Sequence, residues 1–100
     1  MTIYEHRATV TTVAASVSST TLMVPGGILR DLLIRANTSS TLFRADLVDD
    51  SSVTRLNYGF HTGELHDMTV QMPMTGTYTL NITNASPNDT FTIVASVQES

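Results

Sequence analysis

Along most of this chain apolar and polar residues alternate one for one, the period of a strand with one dry and one wet face. The clearest run is Thr77 to Thr83, with Tyr78, Leu80 and Ile82 on one side and Thr77, Thr79, Asn81 and Thr83 on the other. Phe91, Ile93, Ala95 and Val97 repeat the pattern, as do Phe43, Ala45 and Leu47 within Leu42 to Val48. From Tyr4 to Val13 one side carries Tyr4, His6, Ala8 and Val10 and the other Glu5, Arg7, Thr9 and Thr11, which predicts an edge strand or a docking arm.

Turn chemistry divides the remainder. Ser18 to Thr21 suits a turn between two short strands. Pro25, Gly26 and Gly27 are expected to end a strand, because proline donates no ladder hydrogen bond and glycine permits turn angles, so a new element starts at Ile28. Ile28 to Ala36 fits a helical stripe of Ile28, Leu29, Leu32, Leu33 and Ala36 and also a strand facing Leu32, Ile34 and Ala36 inward. Its shortness, its missing N-cap and its strand-like neighbours favour the strand. Asn37 to Ser40 is a turn. Asp49 to Ser52 closes a hairpin into Thr54 to Phe60, where Leu56, Tyr58 and Phe60 share a face. Gly59 and Gly63 bracket a loop, Met68 to Met72 is a further strand, Pro73 to Gly76 a turn, and Asn84 to Asp89 the last turn.

About seven or eight short strands at this spacing predict an all-β fold, an antiparallel β-sandwich of Greek-key or jelly-roll type. One hundred residues make one domain over 1–100, with 1–10 as a docking arm or edge strand. Strand order, and sandwich against closed barrel, stay open at this level.

Composition narrows the partners. Seventeen Thr and ten Ser cover the wet faces with hydroxyls, while the charged fraction of 14% lies below the ~25% of ordinary soluble domains. There is no lysine, and five arginines at positions 7, 30, 35, 44 and 55 face nine acids for a net charge of −4. Such a balance predicts no nucleic-acid partner, since phosphate backbones are met by basic patches. Cysteine is absent, so neither disulfides nor thiolate metal sites are available. No apolar run has the length of a signal peptide or of a membrane span, which predicts neither classical export nor membrane insertion. The Asn-X-Ser/Thr triplets at Asn37, Asn81, Asn84 and Asn88 read as chance in so hydroxyl-rich a chain.

Candidate chemistry is sparse. His61, Glu64 and His66 are the candidate metal ligands, but two histidines five apart match no standard zinc spacing, and the segment reads first as a solvated loop or oligomer contact. Asp46, Asp49, Asp50, Asn88 and Asp89 carry calcium-type oxygens, yet without an EF-hand spacing they read as turn residues. No nucleophile elbow is present, so the expectation is a non-enzyme without cofactors. Phe43, Tyr78 and Phe91 read as core, whereas Tyr58 and Phe60 are the candidates for sugar stacking. Tyr4, His6 and Arg7 on the N-terminal segment, with Met72 and Met74, are candidate partner contacts. An extended Thr2–Arg7 segment suits strand addition to an open sheet edge, and adaptable methionine side chains suit either core gaps or a contact surface.

Thr/Ser-rich strands throughout, no cysteine, and stretches such as Gly27 to Asn37 and Gly76 to Asn84 together resemble the small all-β virion proteins of tailed bacteriophages, in particular the capsid decoration or cement proteins and related neck and tail accessory proteins. The resemblance is one of type and carries no diagnostic motif. It implies a non-enzymatic structural protein, made in the host cytoplasm and located in the virion. It would assemble as a symmetric oligomer, a homotrimer favoured, on the major capsid protein or another virion protein. The alternative is a carbohydrate- or receptor-binding β-sandwich module.

Overall fold

A computed structural model describes residues 2–13, 17–83 and 88–99, and every regular element among them is a strand. These are β1 (Thr2–Thr11), β2 (Ser18–Ala36), β3 (Leu42–Val48), β4 (Thr54–Thr62), β5 (Glu64–Asp67), β6 (Met72–Thr83) and β7 (Thr90–Glu99). All pairings are antiparallel, in the order β1-β7-β2-β6-β3-β4, with β5 also on β2. The all-β expectation and the strand reading of Ile28 to Ala36 hold.

β2, at 19 residues, organises the whole. Its first part pairs with β6, Ser18 opposite Ile82 through Val24 opposite Gly76. Its last part lies between β7, with Leu32 opposite Ala95 and Ala36 opposite Phe91, and β5, with Arg35 opposite Glu64. Two register breaks, between Val24 and Gly27 and between Leu29 and Asp31, each shift the alternation. Buried side chains therefore fall at Leu22 and Val24, then at Leu29, then at Leu32, Ile34 and Ala36.

Pro25 to Gly27 thus form a bulge inside a strand and do not end it, a correction to the sequence expectation. A bulge tolerates a residue without an N–H, and here the chain must also pass close to β7. A Cβ on Gly27 would lie 2.4 Å from the carbonyl oxygen of Gln98. Pro73, opposite Ile28 across the same irregularity, likewise sits within β6, so Pro73 to Gly76 is strand and Met68 to Gln71 is not. Ser18 to Thr21 are also strand, and the β1–β2 connection falls earlier; its residues 14–16, like 84–87 of the last expected turn, lie outside the described residues.

The hydrogen-bonded sheet is folded over on itself. On a flat sheet β3 and β7, three strand spacings apart, would be separated by about 14 Å. Yet the rings of Phe43 on β3 and Phe91 on β7 meet edge to face with centroids 4.9 Å apart. One layer therefore comprises β4, β3, β6 and the first part of β2, the other β1, β7, the last part of β2 and β5. Between them lie Phe43, Ala45 and Leu47 of β3, Tyr78, Leu80 and Ile82 of β6, and Phe91, Ile93, Ala95 and Val97 of β7, all buried as their alternation predicts.

At one end the fold closes. Gly63, the single residue between β4 and β5, donates its N–H to Thr41 O at 2.8 Å and accepts from Ala36 N at 2.8 Å. It has φ of 76°, and a Cβ would lie 2.4 Å from Ser39 O. Gly59 meets nothing within 4 Å of such a Cβ. Gly63→Ala is expected to lower stability by about 2 kcal/mol or more, because left-handed strain and a backbone clash add. Gly59→Ala should change it by less than about 1 kcal/mol, and denaturant unfolding of both variants checks the contrast.

Candidate functional site

Strand pairing, rather than sequence proximity, decides which polar side chains meet. Arg35 on β2 stands opposite Glu64 on β5 and opposite Thr92 on β7, and its Nε donates to Glu64 Oε1 at 3.0 Å. With Asn37, Ser39, Thr62 and Thr90 these residues line an open groove of about 600 Å³ at the closed end. Nothing in the sequence pointed to it. Its members are ordinary polar strand and turn residues from three separate stretches, 35–39, 62–64 and 90–92.

His61, Glu64 and His66 are sent to three different partners. The His61 ring packs on Phe43 with centroids 6.5 Å apart, and its Nδ1 is 3.0 Å from Gly59 O. Glu64 binds Arg35, while His66 Nε2 lies 2.9 Å from both carboxylate oxygens of Asp31. Among the described residues no group of three or more His, Asp or Glu side chains is arranged to hold a metal ion. The expected loop is itself two strands joined at Gly63.

On the outer face of the β2-β6-β3-β4 layer a row of polar side chains is bonded across three strands. Ser19 Oγ donates to Asn81 Oδ1 at 2.6 Å, and Asn81 Nδ2 donates to Asp46 Oδ1 at 2.7 Å, with Asn57 opposite Asp46 on β4. Thr21 and Thr79 form the adjacent pair. The row ends near Arg44, whose guanidinium lies over the Phe60 ring at 5.4 Å. Phe60 is 55% exposed, so it does not share a face with Leu56 and Tyr58 as expected. β4 carries an extra residue where Phe43 opposes His61 and Ala45 opposes Tyr58, and that bulge turns Phe60 outward.

The acidic turn residues are committed to the fold. Asp49 Oδ1 accepts from the amides of Val53 and Ser51, both at 2.9 Å, and the Val53 amide leads in holding its carboxyl below the ordinary value. Asp89 is buried and accepts the Thr41 hydroxyl on Oδ2 at 2.6 Å, while its Oδ1 has no partner among the described residues.

On β1, Tyr4 is exposed, Arg7 donates to Glu5 Oε1 at 2.8 Å, and His6 Nε2 lies 2.7 Å from Glu99 Oε2. Met72 and Met74 point into the core, so of their two expected places they take the core gap, and their place as candidate partner contacts is corrected. They lie on the inward face of β6, in step with Tyr78, and fill space between the layers.

Tyr58 is half-buried and donates to Asp67 Oδ2 at 2.9 Å, so it does not offer a free stacking surface. Burial pushes its hydroxyl well above the ordinary range, and the bond to Asp67 adds to this. Burial also pushes the Asp67 carboxyl up, but the Thr69 amide and hydroxyl, the Tyr58 hydroxyl and the Val70 amide together outweigh it and leave the group below its ordinary value.

No protein-family model matches the chain, and no curated protein is significantly similar to it. The depressed Asp67 carboxyl sets a pH test. A folded value below the unfolded one adds stability above the unfolded value, and that contribution fades as pH falls through the folded value. The wild type should therefore lose more stability between pH 5 and pH 3 than Asp67→Asn, which carries no titrating group there; urea midpoints at the two pH values measure it.

Proposed function

We propose that the chain is a non-enzymatic structural protein of a tailed-bacteriophage virion, a capsid decoration or cement protein that binds and stabilises the coat shell. The observation that carries this is the bonded row of Ser19, Asn81 and Asp46, flanked by Thr21 and Thr79, on the outer face of one layer. These side chains are already fixed to one another, so docking them on a partner costs little further rotamer entropy. The molecule measures 39 × 26 × 20 Å, a slab whose broad faces suit a seat between neighbouring coat subunits. Surface buried there raises the barrier to shell disassembly. The Thr/Ser-rich strands support the same reading by likeness of type, and a neck or tail accessory role would use the same faces.

A second reading, a carbohydrate- or receptor-binding module, is favoured by one feature: Phe60 stands exposed beside Arg44 and near the polar row. A glycan array would separate the two, since only a carbohydrate module gives hits that Phe60→Ala abolishes.

In gradient-purified particles of the encoding phage, mass spectrometry is expected to find the 10.8 kDa chain at a fixed ratio to the coat protein. Particles stripped of it should release their genome at lower temperature. Its absence from particles would overturn the proposal.

A further inference from the structure

β1 is a sheet edge. Among the described residues it pairs with β7 alone, from Thr2 opposite Glu99 to Thr11 opposite Thr90, which leaves the N–H and C=O groups of its other side unpaired by any strand. Two large apolar side chains stand exposed on it, Ile3 at 59% and Tyr4 at 51%. Its outward face carries Glu5 and Arg7 two residues apart, both exposed and, among the described residues, bonded to each other alone. A lone edge strand with this make-up offers backbone hydrogen bonds, apolar contact and an ordered pair of charges.

We propose that β1 pairs antiparallel with β1 of a second copy of this chain, about a two-fold axis through His6. A regular antiparallel ladder places opposed side chains on the same face. Three centres keep Glu5 and Arg7 of both copies on one face and near one another. Centring on Glu5 opposes two carboxylates, and centring on Arg7 opposes two guanidinium groups. Centring on His6 alone sets Glu5 against Arg7 of the second copy, twice by symmetry. The same register lays Tyr4 against Ala8 and Ile3 against Thr9, covering both exposed apolar side chains. The two His6 rings face each other, each beside its own Glu99, whose carboxylate already meets it at 2.7 Å.

The contact is isologous and therefore closes as a dimer. It joins two β5-β2-β7-β1 layers into one continuous sheet. A homotrimer would instead need β1 to meet a different edge of its neighbour, where Glu5 and Arg7 do not oppose each other. Charges on an edge strand also repel wrong partners, so the pair that selects this register guards against others. The pairing rests on β1 and holds whether or not the chain serves in a virion.

Light scattering and sedimentation of the full chain test it. The wild type is expected at twice 10.8 kDa. Glu5→Arg and Arg7→Glu, each placing like charges opposite one another, should raise the dimer dissociation constant at least about tenfold, as expected for two symmetric pairs turned repulsive. An equimolar mixture of the two variants should dimerise again, because every opposed pair is then of opposite sign, and the double variant should dimerise by itself. The bond between Glu5 and Arg7 inside one chain cannot produce recovery on mixing, so the mixture separates pairing between copies from a change in the monomer. Circular dichroism of each variant should match the wild type. A monomeric or trimeric wild type, or a mixture no tighter than its components, would overturn the proposal.

Discussion

At the closed end of the molecule the ends of six strands, β4 and β5 through Gly63 between them, are tied by one succession of hydrogen bonds. Ala36 N at the end of β2 donates to Gly63 O, Gly63 N donates to Thr41 O before β3, and the Thr41 hydroxyl donates to Asp89 Oδ2 before β7. Asp89 O then accepts from the amide and hydroxyl of Thr12, just past β1. Asp89 is 5% exposed, and among the described residues the Thr41 hydroxyl is the donor that compensates the burial of this carboxyl group. A buried acceptor deprived of its donor costs about 1–3 kcal/mol, a large part of the margin by which a small domain is folded. Position 63 has to be glycine for this geometry, since its N–H and C=O face opposite strands while Ser39 O fills the space a side chain would take.

With that end fixed, the other constraint is the path of β2 through both layers. A strand shared between two layers must bend, and its two register breaks supply the bend while moving the inward positions from Val24 to Leu29 and on to Leu32. The outward positions move with them. Arg35, beyond both breaks, is thereby aligned with Glu64 and Thr92 in the groove, whereas Ser19, before them, faces Asn81 in the unbroken first part of the β2–β6 ladder, and Asn81 faces Asp46 across β6 and β3.

Where a strand runs straight, alternation alone gave its inward face: Phe43, Ala45 and Leu47, or Tyr78, Leu80 and Ile82, needed nothing else. It failed at Pro25 to Gly27, Pro73 to Gly76 and Gly59 to Phe60. Turns and bulges use the same residues, and only pairing with a distant strand decides between them. The site was less legible for a related reason. His61, Glu64 and His66 look like a cluster along the chain, but Gly63 puts His61 on a different strand, and Glu64 and His66 are each held by a β2 side chain, Arg35 and Asp31, whereas Arg35, Glu64 and Thr92 are brought together from three strands. Met72 and Met74 fitted core and contact surface alike while Pro73 between them suggested a loop; within a strand their alternation turns both inward.

The hydroxyl-rich exterior connects the fold to the role proposed for it. With few charges and no lysine, the surface projects little long-range field, so in the proposed role the choice of partner would fall to short-range matching of hydrogen bonds and shape. Such matching rewards only a surface whose groups are held in place before contact, because each polar group left unpaired on burial is costly. The cross-strand bonds of Ser19, Asn81 and Asp46 hold their groups in this way, and the clasp at Gly63 and Asp89 keeps the layer beneath from shearing. In a molecule with so little charge to spend on attraction, rigidity takes over the part that electrostatic steering plays elsewhere.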